Sequence, residues 1–549
     1  MFRERFGMEQ FINTREDVVT DSIDGFLRGR GDEIVRLDGY PHIKVVLRSD
    51  WKRDKVSVIS GGGSGHEPAH AGFVGAGLLT AAICGEVFAS PSVEAVLAGI
   101  LAVTGDKGCL LIVKNYTGDR LNFGLAAEKA RSLGLEVEMV VVDDDVALPS
   151  DIQARGIAGT LFVHKIAGAL AEAGNGLDIV STVARSVAAS VSSIGISLGT
   201  CTIPGGKKEE RIASGMAEIG LGIHGEPGAK TVPHCGASEA IKLVLTELSK
   251  SMEPSSSYAM LLNNLGGCTP IEMAIITEEI AKSDIAPMIT QLIGPAPLMT
   301  SLDMHGFSVS ILPITEEIQA ALFSPVPSNL WPLGRSLIAS KLIPLPADLK
   351  YKKWHASNDP AVRELLRLCC EVLEREENDL NDIDLKIGDG DTGSTLVAAV
   401  RSLRDELDNL PLADTAQLFF AIAEILSKSM GGSSGVLLAL MFSAAGKAKS
   451  TGVHWVKALE LGLERVMEVG GAKLGDRTMI DALAPALAYL DQNGDIEGAA
   501  RAARAGADET SSMSLAKVGR AAYVPTEILR GVPDPGAEAV ARLFEGLHS

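Results

Sequence analysis

Three aspartates within eight residues, Asp384, Asp389 and Asp391, stand out as potential metal ligands. Carboxylates this close repel one another and raise each other's pKa unless a cation neutralises them. Mg²⁺ takes carboxylate oxygens while leaving coordination positions open for phosphate oxygens. On a helix Asp384 and Asp389 would point about 140° apart, whereas Gly388 and Gly390 permit a tight loop in which all three converge. The cluster predicts a site for metal and nucleotide phosphate.

A glycine-rich segment, residues 61–68, follows the first strong strand pattern and contains His66. Its glycines would let backbone N–H groups approach a ligand closely, and His66 would exchange protons with that ligand. A purely structural turn is the alternative, because many turns are rich in glycine.

A second group of polar residues, between Lys114 and Asn122, follows the next strand pattern. Asp119 there would accept or relay a hydroxyl proton as a partner of His66. Alternatively, Asp119 would be the N-cap of a helix that begins near Leu121.

A second histidine, His224, lies among glycines and a proline in residues 220–228. Such a loop would present a neutral imidazole, which is a competent nucleophile toward a carbonyl carbon. An incidental loop histidine is the alternative.

Two serines, Ser433 and Ser434, precede a predicted helix that begins near Val436. We expect them either to cap that helix or to stand beside backbone N–H groups that bind a phosphate.

The elements that must position these residues change character along the chain. Strand patterns at 55–60, 109–114 and 136–142, with a helix at 121–133, predict a βαβ unit with a parallel sheet. Further strands are expected at 258–263 and 307–312. Beyond Asp359, apolar residues recur every three to four positions, which predicts an all-α bundle. Its helices are expected at 361–376, 396–407, 415–430, 436–448, 456–469, 479–491 and 496–507.

We therefore expect a multidomain protein, with an α/β two-lobed domain followed by an all-α helical domain. The first domain is expected at 8–330, with lobes at about 8–195 and 196–330, and the helical domain at 359–549. A proline-rich segment with Trp331 and Trp354 is expected to form an extended linker at 331–358.

Composition limits the partners. The chain has 549 residues, 46% of them hydrophobic, and a formal net charge of −20, which argues against nucleic-acid and anionic-membrane partners. Seven cysteines without a CxxC pair indicate reduced thiols in a cytoplasmic protein. The N-terminus shows no secretory signal, Met8 is a plausible alternative start, and apolar runs such as 74–84 are too short to cross a membrane.

Taken together, these motifs closely resemble the single-chain, ATP-dependent dihydroxyacetone kinases, over nearly the whole chain. The motifs that carry the resemblance are 61–68, 114–122, 222–228, 263–267, 293–295, 384–395, 430–435, 475–481 and 534–537. The resemblance implies a ketone-binding domain, a helical nucleotide domain, ATP and two Mg²⁺ ions as cofactors, and a homodimer.

The resemblance also implies residue roles. His224 would form a hemiaminal with the ketone, and His66 and Asp119 would deprotonate the attacking hydroxyl. Gly63, Ser64, Gly65, Lys114 and Asp119 would hold the substrate, and Asp384, Asp389 and Asp391 would bind the metal ions. The nucleotide residues would be Thr392, Gly393, Ser394, Thr395, Ser433, Ser434, Gly470, Met479, Arg520, Asp534, Pro535 and Gly536.

The sequence departs from the family pattern near the C-terminus. Ala522 replaces the serine of a family Gly-Arg-Ala-Ser-Tyr motif, and Pro533 precedes Asp534. These changes make the assignment of the C-terminal nucleotide residues, such as Arg520 and Asp534, less specific than that of the metal site. The expected substrate is dihydroxyacetone, with glyceraldehyde or other short ketoses as further substrates. Alternative functions are a kinase for a related ketose or aldose such as erythrulose or glyceraldehyde, a kinase fed by phosphoenolpyruvate, a side activity that cleaves FAD, and a non-catalytic ketone sensor.

Overall fold

The computed structural model describes residues 10–149, 152–327, 330–346 and 354–548. The chain divides into two compact units, the first ending at Leu342 and the second beginning at Ile343. The expected first-domain start at residue 8 and part of the expected linker, 347–353, lie outside the described residues.

The first sheet of the first unit has six strands in the order β1-β2-β4-β3-β5-β6. Neighbours among β3, β4, β5 and β6 run parallel, and β1 and β2 form an antiparallel edge. The strands are β1 (Ile34–Arg36), β2 (Val45–Arg48), β3 (Ser57–Ser64), β4 (Ala81–Val87), β5 (Cys109–Lys114) and β6 (Val137–Val142). The helices are α1 (Val18–Arg30), α2 (Val93–Val103), α3 (Thr117–Ser132), α4 (Thr160–Glu172) and α5 (Leu177–Ser190).

Strand β5 shows why this sheet is apolar on both faces. Leu111 and Val113 pack in a core with residues of α2 and α3. Leu110 and Ile112, which point the opposite way along a strand, pack with α4 and α5. The core that contains α4 and α5 also includes Leu261, which belongs to a second sheet described below. The helices α4 and α5 therefore form a layer between the two sheets.

The second sheet is also mixed, with the strand order β11-β10-β12-β7-β8-β9, and only β10 and β11 run parallel. Its strands are β7 (Ser192–Ser197), β8 (Met216–Ile219), β9 (Lys230–Pro233), β10 (Tyr258–Asn264), β11 (Ile289–Ala296) and β12 (Gly306–Pro313). Its helices are α6 (Ala237–Ser249), α7 (Pro270–Ala281) and α8 (Glu316–Leu322). Strand β7 spans the expected lobe boundary near residue 195.

The regular elements described in the second unit are all helices. They are α9 (Pro360–Arg375), α10 (Glu377–Asp384), α11 (Thr392–Asp405), α12 (Thr415–Ser429), α13 (Gly432–Lys449), α14 (Trp455–Gly470), α15 (Ile480–Asn493), α16 (Ile496–Ser512), α17 (Thr526–Leu529) and α18 (Pro535–His548). An alanine-rich core joins α13, α14, α15, α16 and α18, and a leucine-rich core joins α9, α11 and α12. The α/β domain followed by an all-α domain confirms the predicted fold class.

The two linker tryptophans pack within different units. Trp331 is buried against Phe73, with ring centroids 6.2 Å apart, in the core of the first unit. Trp354 packs beside the core formed by α9, α11 and α12. Arg335 forms a β-bridge with Leu292 on the edge strand β11, so this part of the expected linker continues the sheet.

Three local expectations were wrong. The glycines at 61–63 belong to β3 rather than to a loop, because Gly61 lacks a Cβ that would lie 2.2 Å from the Ile83 carbonyl oxygen. Asp119 is not an N-cap, because α3 begins at Thr117. Ser433 and Ser434 lie in the first turn of α13, whose N-cap is Gly431, so they do not cap it.

In the part of the chain that the structure describes, no helix has the length and apolar character needed to cross a membrane.

Candidate active site

His224 lies between β8 and β9, and Glu226 orients its ring. The His224 Nδ1 atom is 3.2 Å from Glu226 Oε1, and the His224 backbone N–H donates to Glu226 Oε2 at 3.0 Å. A carboxylate oxygen accepts this hydrogen bond, so in the neutral imidazole Nδ1 carries the proton and Nε2 has the free lone pair. Burial raises the pKa of Glu226, but hydrogen bonds from the His224 ring and backbone N–H groups outweigh it and lower the pKa to about 2.

Aromatic rings surround the imidazole of His224. Its centroid lies 4.4 Å from that of Tyr116, 4.8 Å from that of His66 and 5.3 Å from that of Phe88, and each ring meets it edge-on. Phe88 also stacks on His66. These contacts leave the His224 ring few orientations other than the one that Glu226 favours.

His66 is fully buried, and its neutral ring carries the proton on Nδ1 and a free lone pair on Nε2. Its Nδ1 donates to the carbonyl oxygen of Thr300 at 2.8 Å, because that oxygen only accepts. Burial, together with the charge of Lys114 and the neighbouring His224, lowers the pKa of His66 well below its ordinary value. Its Nε2 has no hydrogen-bond partner within the described residues. A neutral, partnerless nitrogen can accept a proton from a bound hydroxyl.

Lys114 and Asp119 converge beside Gly62 of β3. A Cβ on Gly62 would lie 2.9 Å from Lys114 Nζ and 3.3 Å from Asp119 Oδ2, so a larger residue would displace these side-chain ends. Lys114 Nζ donates to Nε2 of His70 at 2.6 Å. Burial lowers the pKa of Lys114, and Asp119 opposes this shift. Asp119 Oδ1 is buried without a hydrogen-bond partner in the described structure.

The remaining predicted substrate residues surround the end of β3. Ser64 Oγ donates to the Gly85 carbonyl oxygen at 2.9 Å, so its hydroxyl already supports the backbone. The Gly65 backbone N–H donates to Glu67 Oε2 at 2.9 Å. A Cβ on Gly63 would lie 2.8 Å from the backbone nitrogen of Ala89.

The three aspartates of the second unit converge as expected. Each of Asp384, Asp389 and Asp391 offers a carboxylate oxygen within 4.8 Å of the others. Asp384 ends α10 and is buried, and its Oδ2 accepts from the backbone N–H groups of Asp391 and Thr392. Arg520 forms an ion pair with Asp389. This all-oxygen donor set suits Mg²⁺.

The predicted nucleotide residues occupy several helix ends of the second unit. Residues 392–395 form the first turn of α11, where the Ser394 backbone N–H donates to Asn381 Oδ1 at 3.1 Å. Gly470 ends α14 beside Leu437 of the first turns of α13. Pro535 and Gly536 begin α18, and a Cβ on Gly536 would lie 3.3 Å from the Cβ of Met479.

Asp534 and Arg477 make hydrogen bonds that hold the chain near the start of α18. Asp534 Oδ1 accepts from the Ala537 backbone N–H at 2.9 Å, and burial raises the pKa of Asp534 to about 6. Arg477, from the motif 475–481, is buried and donates to the carbonyl oxygens of Thr510 and Val532. In the same motif Asp481 accepts from the backbone N–H of Thr478. The motif therefore ties α15 to the chain on either side of α17.

Sequence reasoning missed several residues of the histidine site. Glu226 and Tyr116 lie inside motifs that were recognised, and a carboxylate two positions after His224 was a signal that could have identified Glu226. His70 also follows a recognised motif closely. Phe88 and Thr300 carry no local signal, because they reach His66 only through the fold.

Comparisons with known proteins agree with this architecture. A Dak1 domain matches residues 25–329 and a DAK2 domain matches residues 386–549. A dihydroxyacetone kinase from Citrobacter freundii is 46% identical, with 98% of each chain covered. A putative 3,4-dihydroxy-2-butanone kinase from Solanum lycopersicum is 42% identical, covering 98% of this chain and 97% of the relative. The crystal structure of the C. freundii enzyme with AMP-PNP and Mg²⁺ matches with a TM-score of 0.66 at 44% identity, covering 98% of this chain and 99% of that one.

An α/β domain followed by a helical domain, matched by a Dak1 and a DAK2 domain, defines the class of two-domain kinases. The chain belongs to the dihydroxyacetone kinase family.

Proposed function

We propose that the protein transfers the γ-phosphoryl group of Mg-ATP to a hydroxyl of dihydroxyacetone, which it holds as a covalent hemiaminal on His224. The observation that carries this proposal is the pair of histidine rings 4.8 Å apart, each with its proton on Nδ1. Nε2 of His224 then serves as the nucleophile, and Nε2 of His66 serves as the base.

Capture of the ketone begins with attack of the His224 Nε2 lone pair on the carbonyl carbon. The carbonyl π electrons move to the oxygen, which takes up a proton. The Nδ1 proton leaves through Glu226, so the hemiaminal is neutral and no net proton is consumed. Covalent capture gives a small polar substrate an affinity that its few contacts cannot supply, and it rejects glycerol, which has no carbonyl.

Phosphoryl transfer needs a deprotonated hydroxyl and an aligned phosphate. His66 Nε2 accepts the hydroxyl proton, with Asp119 as its partner or relay, and Lys114, Gly63, Ser64 and Gly65 position the hydroxyls. Asp384, Asp389 and Asp391 would hold two Mg²⁺ ions, which neutralise phosphate charge when bound. The γ-phosphate must reach the ketone from the second unit of this chain or of another copy.

We assign nucleotide binding to the helix ends of the second unit. The backbone N–H groups of the first turns of α11 and α13 suit phosphate oxygens. These residues are Thr392, Gly393, Ser394, Thr395, Ser433 and Ser434. The nucleoside side comprises Gly470, Met479, Arg520, Asp534, Pro535 and Gly536. We also propose a cytoplasmic homodimer, which mass photometry of the purified protein would test.

The test is a coupled assay with Mg-ATP and dihydroxyacetone, in which glycerol-3-phosphate dehydrogenase consumes NADH. We expect rapid NADH loss with dihydroxyacetone and none with glycerol. Intact-mass analysis should show a ketone adduct on the wild-type protein and none on His224→Ala. An adduct that persists in His224→Ala would contradict the role of His224, and absence of turnover with ATP would contradict the choice of donor.

A four-carbon ketone is the second candidate substrate, because the S. lycopersicum relative is named for one. His224 would attack either carbonyl by the same route. Comparison of kcat/KM for dihydroxyacetone, erythrulose and 3,4-dihydroxy-2-butanone decides between them. Ligand-dependent partner binding without turnover would instead indicate a ketone sensor.

A further inference from the structure

Cys268, Glu272 and His305 form a mixed cluster of metal-binding groups in the first unit, outside the proposed ketone site. One thiol sulfur, one carboxylate oxygen and one imidazole nitrogen lie within 4.8 Å of one another. Cys268 precedes α7, Glu272 lies in its first turn, and His305 immediately precedes β12. We propose that these three residues bind one Zn²⁺ ion or a similar borderline-soft divalent cation.

The donor set distinguishes this cluster from the aspartate site. Sulfur and imidazole ligands favour Zn²⁺ and related transition metals, whereas Mg²⁺ prefers oxygen. Three protein ligands leave a fourth tetrahedral position for water. The side chains of Glu272 and His305 are 37% and 38% exposed, so an ion can reach them from solvent.

Surrounding hydrogen bonds hold the ligands in place. Asn264 accepts from the Cys268 backbone N–H at 3.2 Å and donates to the Cys268 carbonyl oxygen at 2.8 Å. Glu272 Oε2 accepts from the backbone N–H and the hydroxyl of Thr269, each at 2.7 Å, which leaves Oε1 directed toward His305. Such supporting contacts orient ligands in metal sites.

Close backbone packing brings His305 to the other two ligands. The Gly267 backbone N–H donates to the Met304 carbonyl oxygen at 2.9 Å. A Cβ on Gly267 would lie 2.8 Å from the His305 backbone nitrogen, so only glycine permits this approach. The chain before α7 and the turn before β12 are therefore held together without the metal.

Metal binding replaces existing contacts. The Cys268 thiol donates to the Gly306 carbonyl oxygen at 3.3 Å, and His305 Nε2 lies 2.7 Å from Glu272 Oε1. The ion would take the place of the thiol proton, which is released to solvent as the S–metal bond forms. It would also take the place of the proton between His305 and Glu272, which in a neutral imidazole passes through solvent to Nδ1 of His305 and leaves the Nε2 lone pair for the ion. The competing explanation is an ion pair and a thiol that hold this turn without metal.

Co²⁺ alone is the probe, because a thiolate–Co²⁺ bond gives a near-ultraviolet charge-transfer band that a carboxylate-only site cannot give. Full-length protein freed of metal with a chelator should develop this band with one Co²⁺ per chain. Added Zn²⁺ should abolish it, since Zn²⁺ binds such sites more tightly than Co²⁺. An Asp389→Ala background removes a ligand from the aspartate site and should leave the band unchanged.

Variants assign the ligands. The nearly isosteric Cys268→Ser should lose the band, whereas Cys235→Ser, which removes an exposed cysteine elsewhere, should keep it. Glu272→Gln and His305→Gln should weaken Co²⁺ binding at least about tenfold, the loss that even supporting residues cause. Zn²⁺ should raise the Tm of the wild type but not of Cys268→Ser. No band at saturating Co²⁺, or an equal band in Cys268→Ser, would overturn the proposal.

Discussion

Glu226 sets the tautomer of the neutral His224 ring through one hydrogen bond. By accepting from Nδ1 of a neutral imidazole, it places the lone pair on Nε2, and in the proposed hemiaminal it would take up the proton that leaves Nδ1. The same carboxylate accepts from the His224 backbone N–H, so one side chain orients both the ring and the turn that carries it.

Glu226→Gln tests this role at the residue scale. The amide can donate as well as accept, so the tautomer is no longer enforced, and it cannot take up a proton. We expect kcat/KM for the ketone to fall about 10- to 100-fold, as for a lost supporting residue, with a slower rise of the adduct in intact-mass measurements. Unchanged adduct kinetics would show that Glu226 serves only the turn.

His66→Asn tests the base. Asparagine can still donate to the Thr300 carbonyl oxygen but cannot accept the hydroxyl proton as imidazole does. We expect the ketone adduct to persist while kcat falls about 10²- to 10⁴-fold, the range for loss of general base catalysis. The persisting adduct controls for folding, and an unchanged kcat would exclude His66 as the base.

At the scale of the elements, β3 pairs with β5 and with β4, and the glycines of β3 accommodate groups from both neighbours. Gly62 makes room for Lys114 and Asp119, and Gly61 lets the strand run against β4. The same packing buries His66, His70 and His164, whose pKa values burial lowers, to about 3 for His164.

Because these histidines are buried, we expect acid to destabilise the first unit. Below about pH 6.5 the unfolded chain protonates them while the folded chain does not. Each histidine therefore lowers the free energy of unfolding by about 1.4 kcal/mol for every pH unit by which the pH falls. For His164 this extends down to about pH 3. Asp144 opposes the effect below pH 6, because burial raises its pKa to about 6, and buried Glu67, whose pKa burial also raises, acts in the same direction.

Urea unfolding at pH 7.5 and 5.5, followed by pulsed hydrogen exchange in β5 peptides, measures this slope for the first unit. His164→Leu should reduce the difference in unfolding free energy between these two pH values by about 1.4 kcal/mol, since neither ring nitrogen of His164 has a hydrogen-bond partner in the described structure. The exposed His234→Leu is the matched control, and an identical slope in all three proteins would contradict the prediction.

At the scale of the whole molecule, the two candidate sites lie in separate compact units. The histidine pair belongs to the first unit, and the aspartate cluster belongs to the second. Capture of the ketone and binding of the metal–nucleotide complex should therefore be separable by mutation.

Asp389→Ala tests that separation. Loss of a metal ligand removes stabilisation of phosphate charge worth several kcal/mol, so kcat should fall at least about hundredfold. The ketone adduct on His224 should remain at the wild-type level by intact mass. Asp382→Ala, an exposed aspartate of α10 outside the cluster, should keep both properties. Loss of the adduct in Asp389→Ala would show that the two sites are coupled.

The sequence alone predicted the elements and the residue cluster that depend on neighbouring residues in the chain. β5 lies at the predicted residues, and α12 differs by one residue at its end, because side-chain periodicity within an element reports which faces are buried. The aspartates converge because only a glycine-containing turn separates them. The short polar α10 was missed because its asparagines and aspartates are weak helix formers. The helix α18 was missed because its start was interpreted as part of a nucleotide motif.

Only the tertiary structure decided which nitrogen of His66 and of His224 carries the proton in the neutral ring. The partner of His66 is a carbonyl 234 positions away in the chain, and the rings beside it come from two other segments, after β4 and after β8. The contact of Glu272 with His305 likewise spans two elements, and Cys268 joins that pair only through backbone packing. Burial and hydrogen bonding set protonation and tautomer, and both depend on contacts that no local pattern records.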